Sequence, residues 1–306
     1  MILKHFKNSI HTSRMLSKNS ERNRIVHFFY IFIVRFFFSF HFFRSLFRPK
    51  EIYQNYNENE LFLNEINSKY ILRQLIDQGI SEKFILKKDL TDKLTESVRN
   101  DNVFLDLKPF NEDENINLIK NFSFEKLDDI VDFTVNNNIA HLTINYKNNN
   151  EVIQKFGRSK FFETIVSNYL GRKNFSFRPH IYISNFKSNI SELTKMKNAQ
   201  YFHYDCDYAK FLKVFVFLND VDNNNGPHVY IKNSHKHKKS KHILAERISD
   251  KEIEESYKSE NITTVQGQKG SLFFEDTFGL HKGIFPYKTR ILLVLEYGIG
   301  KDRLIF

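Results

Sequence analysis

The chain has 306 residues, of which 41% are hydrophobic and 15% aromatic, and its formal net charge is +10. This length and composition allow one large packed domain plus an extension, and they exclude a chain that is disordered throughout. The single cysteine, Cys206, excludes an internal disulfide framework and is typical of a reducing compartment, so we predict a cytoplasmic location.

The positive charge lies mainly in the first 50 residues. This segment holds ten lysines or arginines and one acid, Glu21, whereas residues 51–306 hold 36 basic and 35 acidic residues. A nearly neutral body lacks the broad positive face that nucleic-acid binding requires. No nucleic-acid function is therefore predicted.

The same N-terminal extension, residues 1–50, contains the aromatic run IVHFFYIFIVRFFFSFHFFRSLF at 25–47. Its central Arg35 costs about 2.5–3.5 kcal/mol on insertion scales, which disfavours a helix that spans a membrane. A segment lying in the membrane interface is one alternative, and an extension or helix packed on the domain is another of equal weight. A cleaved signal peptide is not favoured, because the apolar run begins late and carries charge.

The elements that follow predict helices first and strands afterwards. Residues 51–60 include the polar run QNYNENE and are predicted as a linker, and 61–306 as the main domain. Apolar positions three and four apart predict short helices over 61–98, interrupted at Gly79, and a helical passage over 151–171 that ends at Gly171. Short segments rich in Phe, Val and Ile then predict strands at 175–186, 211–218, 228–231, 271–275 and 290–297. The order indicates an α+β protein with a mainly β core, in which helices pack outside a sandwich or barrel.

Three residues of metal-binding type stand out among these segments. His203 and Asp205 lie two residues apart, so their side chains project to one face if the segment is extended. His281 follows the strand SLFFE and could converge on them from a neighbouring strand. Two imidazoles and one carboxylate on one face of an ion form the facial triad of non-haem Fe(II) oxygenases. The H-x-D triplet alone is a weak signal, because a chain with twelve histidines produces it readily by chance.

Two basic residues lie in otherwise apolar strands. Arg290 begins RILLVLEY, where an unpaired guanidinium would be costly, and its planar fork suits the distal carboxylate of 2-oxoglutarate. Solvation at the strand mouth, or pairing with Glu296 or Asp276, explains Arg290 equally well. Lys213 is the only polar residue of FLKVFVFL, so it either reaches an edge or meets an anion inside.

The stretches QYFHYDCDYAKFLKVFVFLNDVDNNNGPHVYIKNSHK and GQKGSLFFEDTFGLHKGIFPYKTRILLVLEY carry these residues in a recognisable order. The order is H-x-D, an aliphatic strand, a D-x-x-x-x-N-G turn, an end like G-S-H-K, then K-G before the second His and an Arg after it. It resembles the phytanoyl-CoA dioxygenase family of Fe(II)/2-oxoglutarate-dependent oxygenases, closely over 199–298 and loosely back to about residue 61. The resemblance implies a double-stranded β-helix, which is a jelly-roll barrel, with supporting helices.

The resemblance also implies a set of site residues. Fe(II) would be bound by His203, Asp205 and His281. The cosubstrate 2-oxoglutarate would be bound through Arg290, with Phe215 packed against it and Lys213 as a second contact to the anion.

The chain departs from the family pattern at three points. Asn233-Ser234-His235 replaces the usual Gly-Ser-His, Ser271 replaces an acid, and the spacing from His281 to Arg290 is slightly short.

By this resemblance the protein would use Fe(II), 2-oxoglutarate and O2 to hydroxylate a C–H bond of a small-molecule or lipid-like substrate, releasing succinate and CO2. The presence of Asp205 argues for hydroxylation, since related halogenases lack this carboxylate. The basic run HKHKKSKH at 235–242 is either a solvated loop or an attraction for an anionic group of the substrate. Two alternatives remain: a cupin-like metal-binding barrel that does not use 2-oxoglutarate, and a catalytically silent, membrane-associated barrel. No protein partner is inferred.

Overall fold

The computed structural model describes residues 56–299, apart from 59, 101–125, 146–149, 187–199, 209, 244 and 246. The predictions of a basic extension over 1–50 and of a membrane-interface segment over 25–47 lie outside the described residues. Within the described ranges, no helix is long and apolar enough to cross a membrane.

The helices of the described chain lie mostly before the main strands, as the apolar periodicity predicts. Gly79 and Gly171 adopt left-handed φ values of 83° and 80° and end α1 and α5. The passage predicted as helical over 151–171 is divided into α4 and α5, with a break at Arg158 and Ser159. The bounds are α1 Ser68–Gln78, α2 Lys88–Arg99, α3 Leu127–Asn136, α4 Glu151–Gly157, α5 Lys160–Leu170 and α6 Asp250–Glu254.

The described strands form a short hairpin and two larger antiparallel sheets. The hairpin pairs β1 (Asn57–Glu58) with β2 (Ile66–Asn67), so the end of the segment predicted as a linker contributes a strand. The large sheet has six strands in the order β3-β9-β6-β11-β5-β4, and the small sheet has three in the order β10-β7-β8. The bounds are β3 Phe84–Ile85, β4 His141–Asn145, β5 Ser176–Ser184, β6 Phe211–Phe217, β7 His228–Ile231, β8 Ile262–Val265, β9 Ser271–Glu275, β10 His281–Gly283 and β11 Arg290–Gly298.

The chain passes back and forth between the two sheets. After β5 of the large sheet, His203 pairs with His281 at the edge of the small sheet, and β6 returns to the large sheet. Strands β7 and β8 belong to the small sheet, β9 to the large, β10 to the small and β11 to the large. Two antiparallel sheets connected in this way define a jelly roll, which confirms the predicted fold class.

Strand β6 shows how the alternation of side chains builds two cores. Leu212, Val214 and Val216 belong to the hydrophobic cluster that includes Phe161 and Phe162 of α5. The residues between them point to the opposite face, where the space between the sheets is filled by Phe215, Phe217, Tyr230, Phe273, Leu292 and Val294. Helices therefore cover the outer face of the large sheet, and its inner face looks towards the small sheet. Polar side chains on that inner face form the site described next.

Candidate active site

The two histidines predicted as metal ligands lie directly opposite each other. The backbone N–H of His203 donates to the His281 carbonyl at 3.0 Å, and the reverse bond measures 2.9 Å. A residue pair that exchanges both backbone bonds presents its side chains on the same side of the sheet. The two imidazole centroids are consequently 4.3 Å apart.

Asp205 joins these histidines from the loop that precedes β6. Its Oδ1 lies 3.9 Å from His203 Nε2, and its Oδ2 lies 3.8 Å from His281 Nε2. One ligand atom from each of the three residues lies within 4.8 Å of the other two. Residues 204–206 are not in a strand, and the Asp205 N–H instead donates to the Thr277 carbonyl at 2.8 Å. Asp205 therefore reaches the two histidines from a loop that is fixed by a backbone hydrogen bond. It does not reach them through the strand alternation that the sequence suggests.

Both histidines are held in the tautomer that binds metals. His203 Nδ1 lies 3.0 Å from the Tyr201 carbonyl, and His281 Nδ1 lies 3.0 Å from the Gly279 carbonyl. Because a carbonyl only accepts hydrogen bonds, each Nδ1 carries the hydrogen and each Nε2 keeps a lone pair. Burial lowers the pKa of His281 and places the pKa of His203 well below its ordinary value. Both rings are therefore neutral at pH 7, which is the form that coordinates a metal ion.

Lys213 is buried beside the carboxylate of Asp205. Its Nζ lies 2.8 Å from Asp205 Oδ2, 2.8 Å from Asp207 Oδ2 and 3.5 Å from Glu296 Oε2, and its side chain is 5% exposed. Burial alone would lower the pKa of Lys213, but these carboxylates outweigh it and raise the pKa well above its ordinary value. Of the two alternatives for Lys213, an anion inside the protein is the one observed, and the anions are the protein's own side chains. A contact between Lys213 and 2-oxoglutarate stays a prediction.

Arg290 is a buried cation at the other end of the site. Its Nη1 donates to the Gly226 carbonyl and its Nη2 lies 3.3 Å from Ser184 Oγ, whereas its Nε has no hydrogen-bond partner in the described chain. It forms no ion pair with an acidic side chain of the described residues, so the predicted pairing with Glu296 or Asp276 is not observed. Burial lowers the pKa of Arg290 to about 10, which leaves it charged at pH 7. Since a buried charge is normally paired, this guanidinium suits an anionic ligand.

Glycines let the chain pass close to Arg290. Gly226, in the predicted Asn-Gly turn, has a φ of 69°, and a Cβ there would overlap the Ile284 carbonyl. A Cβ at Gly283 would lie 3.1 Å from Arg290 Nη2. The resulting cavity is lined by Ala140, His141, Ser184, Gln200, Gly283, Ile284, Pro286 and Arg290.

Phe215 lies between the two sheets. Its ring stacks on Phe273 with centroids 5.0 Å apart and lies 5.3 Å from the ring of His228. Its role in packing against a cosubstrate stays a prediction.

His228 and Glu275 are interior residues that were not predicted from the sequence as part of the site. His228 Nε2 lies 2.7 Å from Glu275 Oε2, and the His228 ring lies 5.5 Å from the ring of His281. Burial raises the pKa of Glu275 to about 8 and lowers the pKa of His228 to about 3. The alternation of side chains along β7 and β9 could have identified both residues. The alternation that directs Tyr230 and Phe273 inward does the same for His228 and Glu275, two residues away in each strand.

Two further sequence features have clear structural outcomes. Asn233, which replaces the glycine of the family pattern, has a φ of 66°, a value that asparagine tolerates better than most residues. In the basic run 235–242, His235 and His242 are buried, and the Lys238 ammonium lies 3.6 Å from the centroid of the Phe278 ring. Part of this run is therefore packed on the domain instead of extending into solvent.

The fold and the site together define a jelly-roll protein with a His-Asp-His metal-type triad. The family model for phytanoyl-CoA dioxygenase (PhyH) matches residues 98–283, which is more than half of the chain and includes all three residues of the triad. The chain belongs to the phytanoyl-CoA dioxygenase family. The comparison with curated proteins found no significant match.

Several solved structures show a distant similarity to the chain. EvdO2 from Micromonospora carbonacea var. aurantiaca is 12% identical, with a TM-score of 0.47 over 78% of this chain and 93% of that one. HygX from Streptomyces hygroscopicus, solved with nickel and 2-oxoglutarate bound, is 10% identical, with a TM-score of 0.47 over 74% of this chain and 85% of that one. SnoN, a non-haem α-ketoglutarate-dependent epimerase from nogalamycin biosynthesis, is 11% identical, with a TM-score of 0.45 over 75% and 81%. Similarity at this distance does not assign a reaction or a substrate to this chain.

Proposed function

We propose that the protein is an Fe(II)- and 2-oxoglutarate-dependent oxygenase that hydroxylates a C–H bond of a small-molecule or lipid-like substrate. One observation carries the proposal: the metal-type triad lies in the same jelly roll as the buried Arg290. Arg290 has no acidic partner among the described residues. Membership of the phytanoyl-CoA dioxygenase family supports it.

The triad fits a divalent iron ion. His203 and His281 each offer an Nε2 lone pair, and the Asp205 carboxylate places Oδ1 at 3.9 Å from the first nitrogen and Oδ2 at 3.8 Å from the second. Three protein ligands on one face of an octahedral ion leave three positions for other molecules, and this donor set is the one used by non-haem Fe(II) oxygenases. Lys213 would hold one oxygen of Asp205 and so limit the ways in which that carboxylate can rotate.

Arg290 fits the distal carboxylate of the cosubstrate. A guanidinium binds a carboxylate through two parallel N–H···O bonds, and the unpartnered Nε of Arg290 is one donor available for this purpose. Such an anion would also neutralise a buried charge that has no acidic partner in the described chain. The hydrogen bonds to the Gly226 carbonyl and Ser184 hold the guanidinium in place before the anion binds.

When bound together, Fe(II) and 2-oxoglutarate supply the oxidising chemistry: O2 and the keto acid are converted to succinate and CO2, and one oxygen atom enters the substrate C–H bond. The chain's own residues orient the cosubstrate and keep water away. The aromatic residues Phe215, Phe217 and Phe273 support the second task, because their apolar side chains fill part of the space between the sheets.

The decisive test is an anaerobic titration of the full-length protein with Fe(II) and then 2-oxoglutarate, followed by the visible charge-transfer band of a chelated keto acid. We expect the band in the wild type, its loss in His203→Ala and weaker 2-oxoglutarate binding in Arg290→Met. The exposed His237→Ala is the matched control and should behave as the wild type.

Other results would change the assignment. Iron binding without the band would indicate a metal-binding barrel that does not use 2-oxoglutarate, and no iron binding would indicate a catalytically silent barrel. If the band forms, release of succinate provides the assay for a substrate search.

A further inference from the structure

A buried pair near the triad and Arg290 has no role in the proposed function. His228 Nε2 lies 2.7 Å from Glu275 Oε2, and the two side chains are 8% and 0% exposed. His228 belongs to β7 of the small sheet and Glu275 to β9 of the large sheet, so the pair joins the sheets across the interior. Such interior positions are ordinarily filled by apolar side chains, and a polar pair there requires a specific reason.

His228 is close to both ends of the candidate site. Its ring centroid lies 5.5 Å from that of His281 and 5.3 Å from that of Phe215. Its backbone pairs with Gly283, where a Cβ would lie 3.1 Å from Arg290 Nη2. Arg290 Nη1 also donates to the carbonyl of Gly226, two residues before His228 in the chain. His228 thus lies between the triad and the guanidinium.

The pair is not satisfied by its own contact. Although the two atoms are 2.7 Å apart, they are not aligned as a hydrogen bond, and within the described chain His228 Nε2 and both Glu275 oxygens have no hydrogen-bond partner. Arg290 Nε is in the same condition. Buried polar atoms are nearly always hydrogen-bonded in folded proteins, so these atoms require water or a bound polar ligand as their partner.

We propose that His228 contacts the keto-acid cosubstrate between the metal and Arg290, and that Glu275 is a positioning residue whose carboxyl group, 2.7 Å from His228 Nε2, limits how the ring can turn. The inference rests on the proposed function, because it requires a cosubstrate that bridges these two ends. A ligand held only at its ends can still rotate about the line that joins them. A lateral polar contact removes this freedom and fixes the face that the keto acid presents to the metal.

The experiment measures the affinity for 2-oxoglutarate of the Fe(II)-loaded, full-length protein under anaerobic conditions. We expect His228→Leu to weaken 2-oxoglutarate binding roughly ten- to a hundredfold, the range for a lost hydrogen bond to a charged group, with Fe(II) affinity unchanged. Glu275→Gln should weaken binding less, and the double variant should be no weaker than His228→Leu, because Glu275 acts through His228. Glu275 Oε1 also lies 3.8 Å from His281 Nδ1, so the Fe(II) affinity of Glu275→Gln is measured as well and should equal that of the wild type. His228→Asn, which restores a side-chain N–H donor, should recover part of the affinity.

Val265→Ala is the matched control, because Val265 pairs with His228 across β7 and β8 and belongs to the interior apolar cluster. It opens a small cavity without changing a polar group and should leave 2-oxoglutarate affinity unchanged. Wild-type affinity in His228→Leu and Glu275→Gln would overturn the inference and leave the pair a purely structural one. An equal loss in Val265→Ala would overturn it too, because general loosening would then explain the effect. Failure of the wild type to bind 2-oxoglutarate would instead refute the proposed function itself.

Discussion

Replacement of Lys213 by methionine is expected to make the fold depend on the metal. The ammonium lies 2.8 Å from one oxygen of Asp205 and 2.8 Å from one oxygen of Asp207. At an effective dielectric constant of about 20, each contact corresponds to roughly 6 kcal/mol of Coulomb attraction, most of which is offset by the cost of burying the charges. Methionine keeps the length and the apolar stem of the lysine but removes the cation. The carboxylates are then left without their shared partner.

The expected loss of stability follows from that uncompensated charge. Removing one member of a buried ion pair costs about 3–5 kcal/mol, so the free energy of unfolding of metal-free Lys213→Met should fall by about this amount. A divalent ion bound at Asp205 supplies positive charge to the same carboxylate. The difference in free energy of unfolding between Lys213→Met and the wild type should therefore become smaller when metal is added. Urea unfolding of both proteins, with a chelator and then with saturating Fe(II) in the absence of O2, measures both quantities.

A surface lysine provides the control for the Lys213 experiment. Lys155 Nζ lies 3.6 Å from Glu151 Oε2 with both side chains exposed, and exposed pairs contribute only about 0–1 kcal/mol, so Lys155→Met should be close to the wild type. The prediction would be refuted if metal-free Lys213→Met were as stable as the wild type. It would also be refuted if Fe(II) did not reduce the difference in free energy of unfolding between the two proteins. A fall in 2-oxoglutarate affinity as large as in Arg290→Met would show that Lys213 binds the cosubstrate after all.

Two further predictions concern the cavity beside Arg290 and the turn after β7. Burial, with a smaller contribution from Arg290, lowers the pKa of His141 to about 4, so the stability it contributes is present above its unfolded pKa of about 6.5 and is lost as the pH falls towards 4. This loss of stability approaches about 3 kcal/mol. In urea unfolding between pH 7 and 4.5, the free energy of unfolding should fall less steeply for His141→Gln than for the wild type. An identical fall in both proteins would contradict the lowered pKa of His141. Asn233 has a φ of 66°, so Asn233→Ala should lower the free energy of unfolding by about 1 kcal/mol while Asn233→Gly should not, and equal stability of the two variants would exclude backbone strain as the cause.

Much of the fold was predictable from local patterns. The change from helical spacing to alternation placed α1, α2 and α5 before β5 and the strands that follow it, and Gly79 and Gly171 end helices where the sequence indicates. The division between α4 and α5 was not predicted, because residues 151–171 keep an apolar helical spacing across the break. The spacing of apolar residues indicates which face of a helix is buried. It does not indicate whether one helix continues or two helices follow each other.

The candidate site was predictable only in part, because its contacts depend on strand register. The spacing of His203 and Asp205 and the position of His281 were enough to suggest a triad. The partners of Lys213 were not, since Glu296 becomes its neighbour only through the pairing of β6 with β11. No spacing within one segment contains that information.

The register of β11 also explains why a lateral contact is needed in this interior. Arg290 and Glu296 lie six residues apart on the same face of the strand, so their Cα atoms are separated by roughly 20 Å at about 3.4 Å per residue. The inward positions between them include Leu292 and Val294, which cannot hydrogen-bond a polar ligand through their side chains. The cosubstrate 2-oxoglutarate is a five-carbon diacid and is much shorter than this distance, so a molecule bound by Arg290 would meet the apolar side chains of β11 before it approached the Lys213 end. Polar contacts to the cosubstrate must therefore come from other strands. His228 of β7 and Glu275 of β9 have buried polar atoms without hydrogen-bond partners in the described chain, and we infer that His228 provides such a contact.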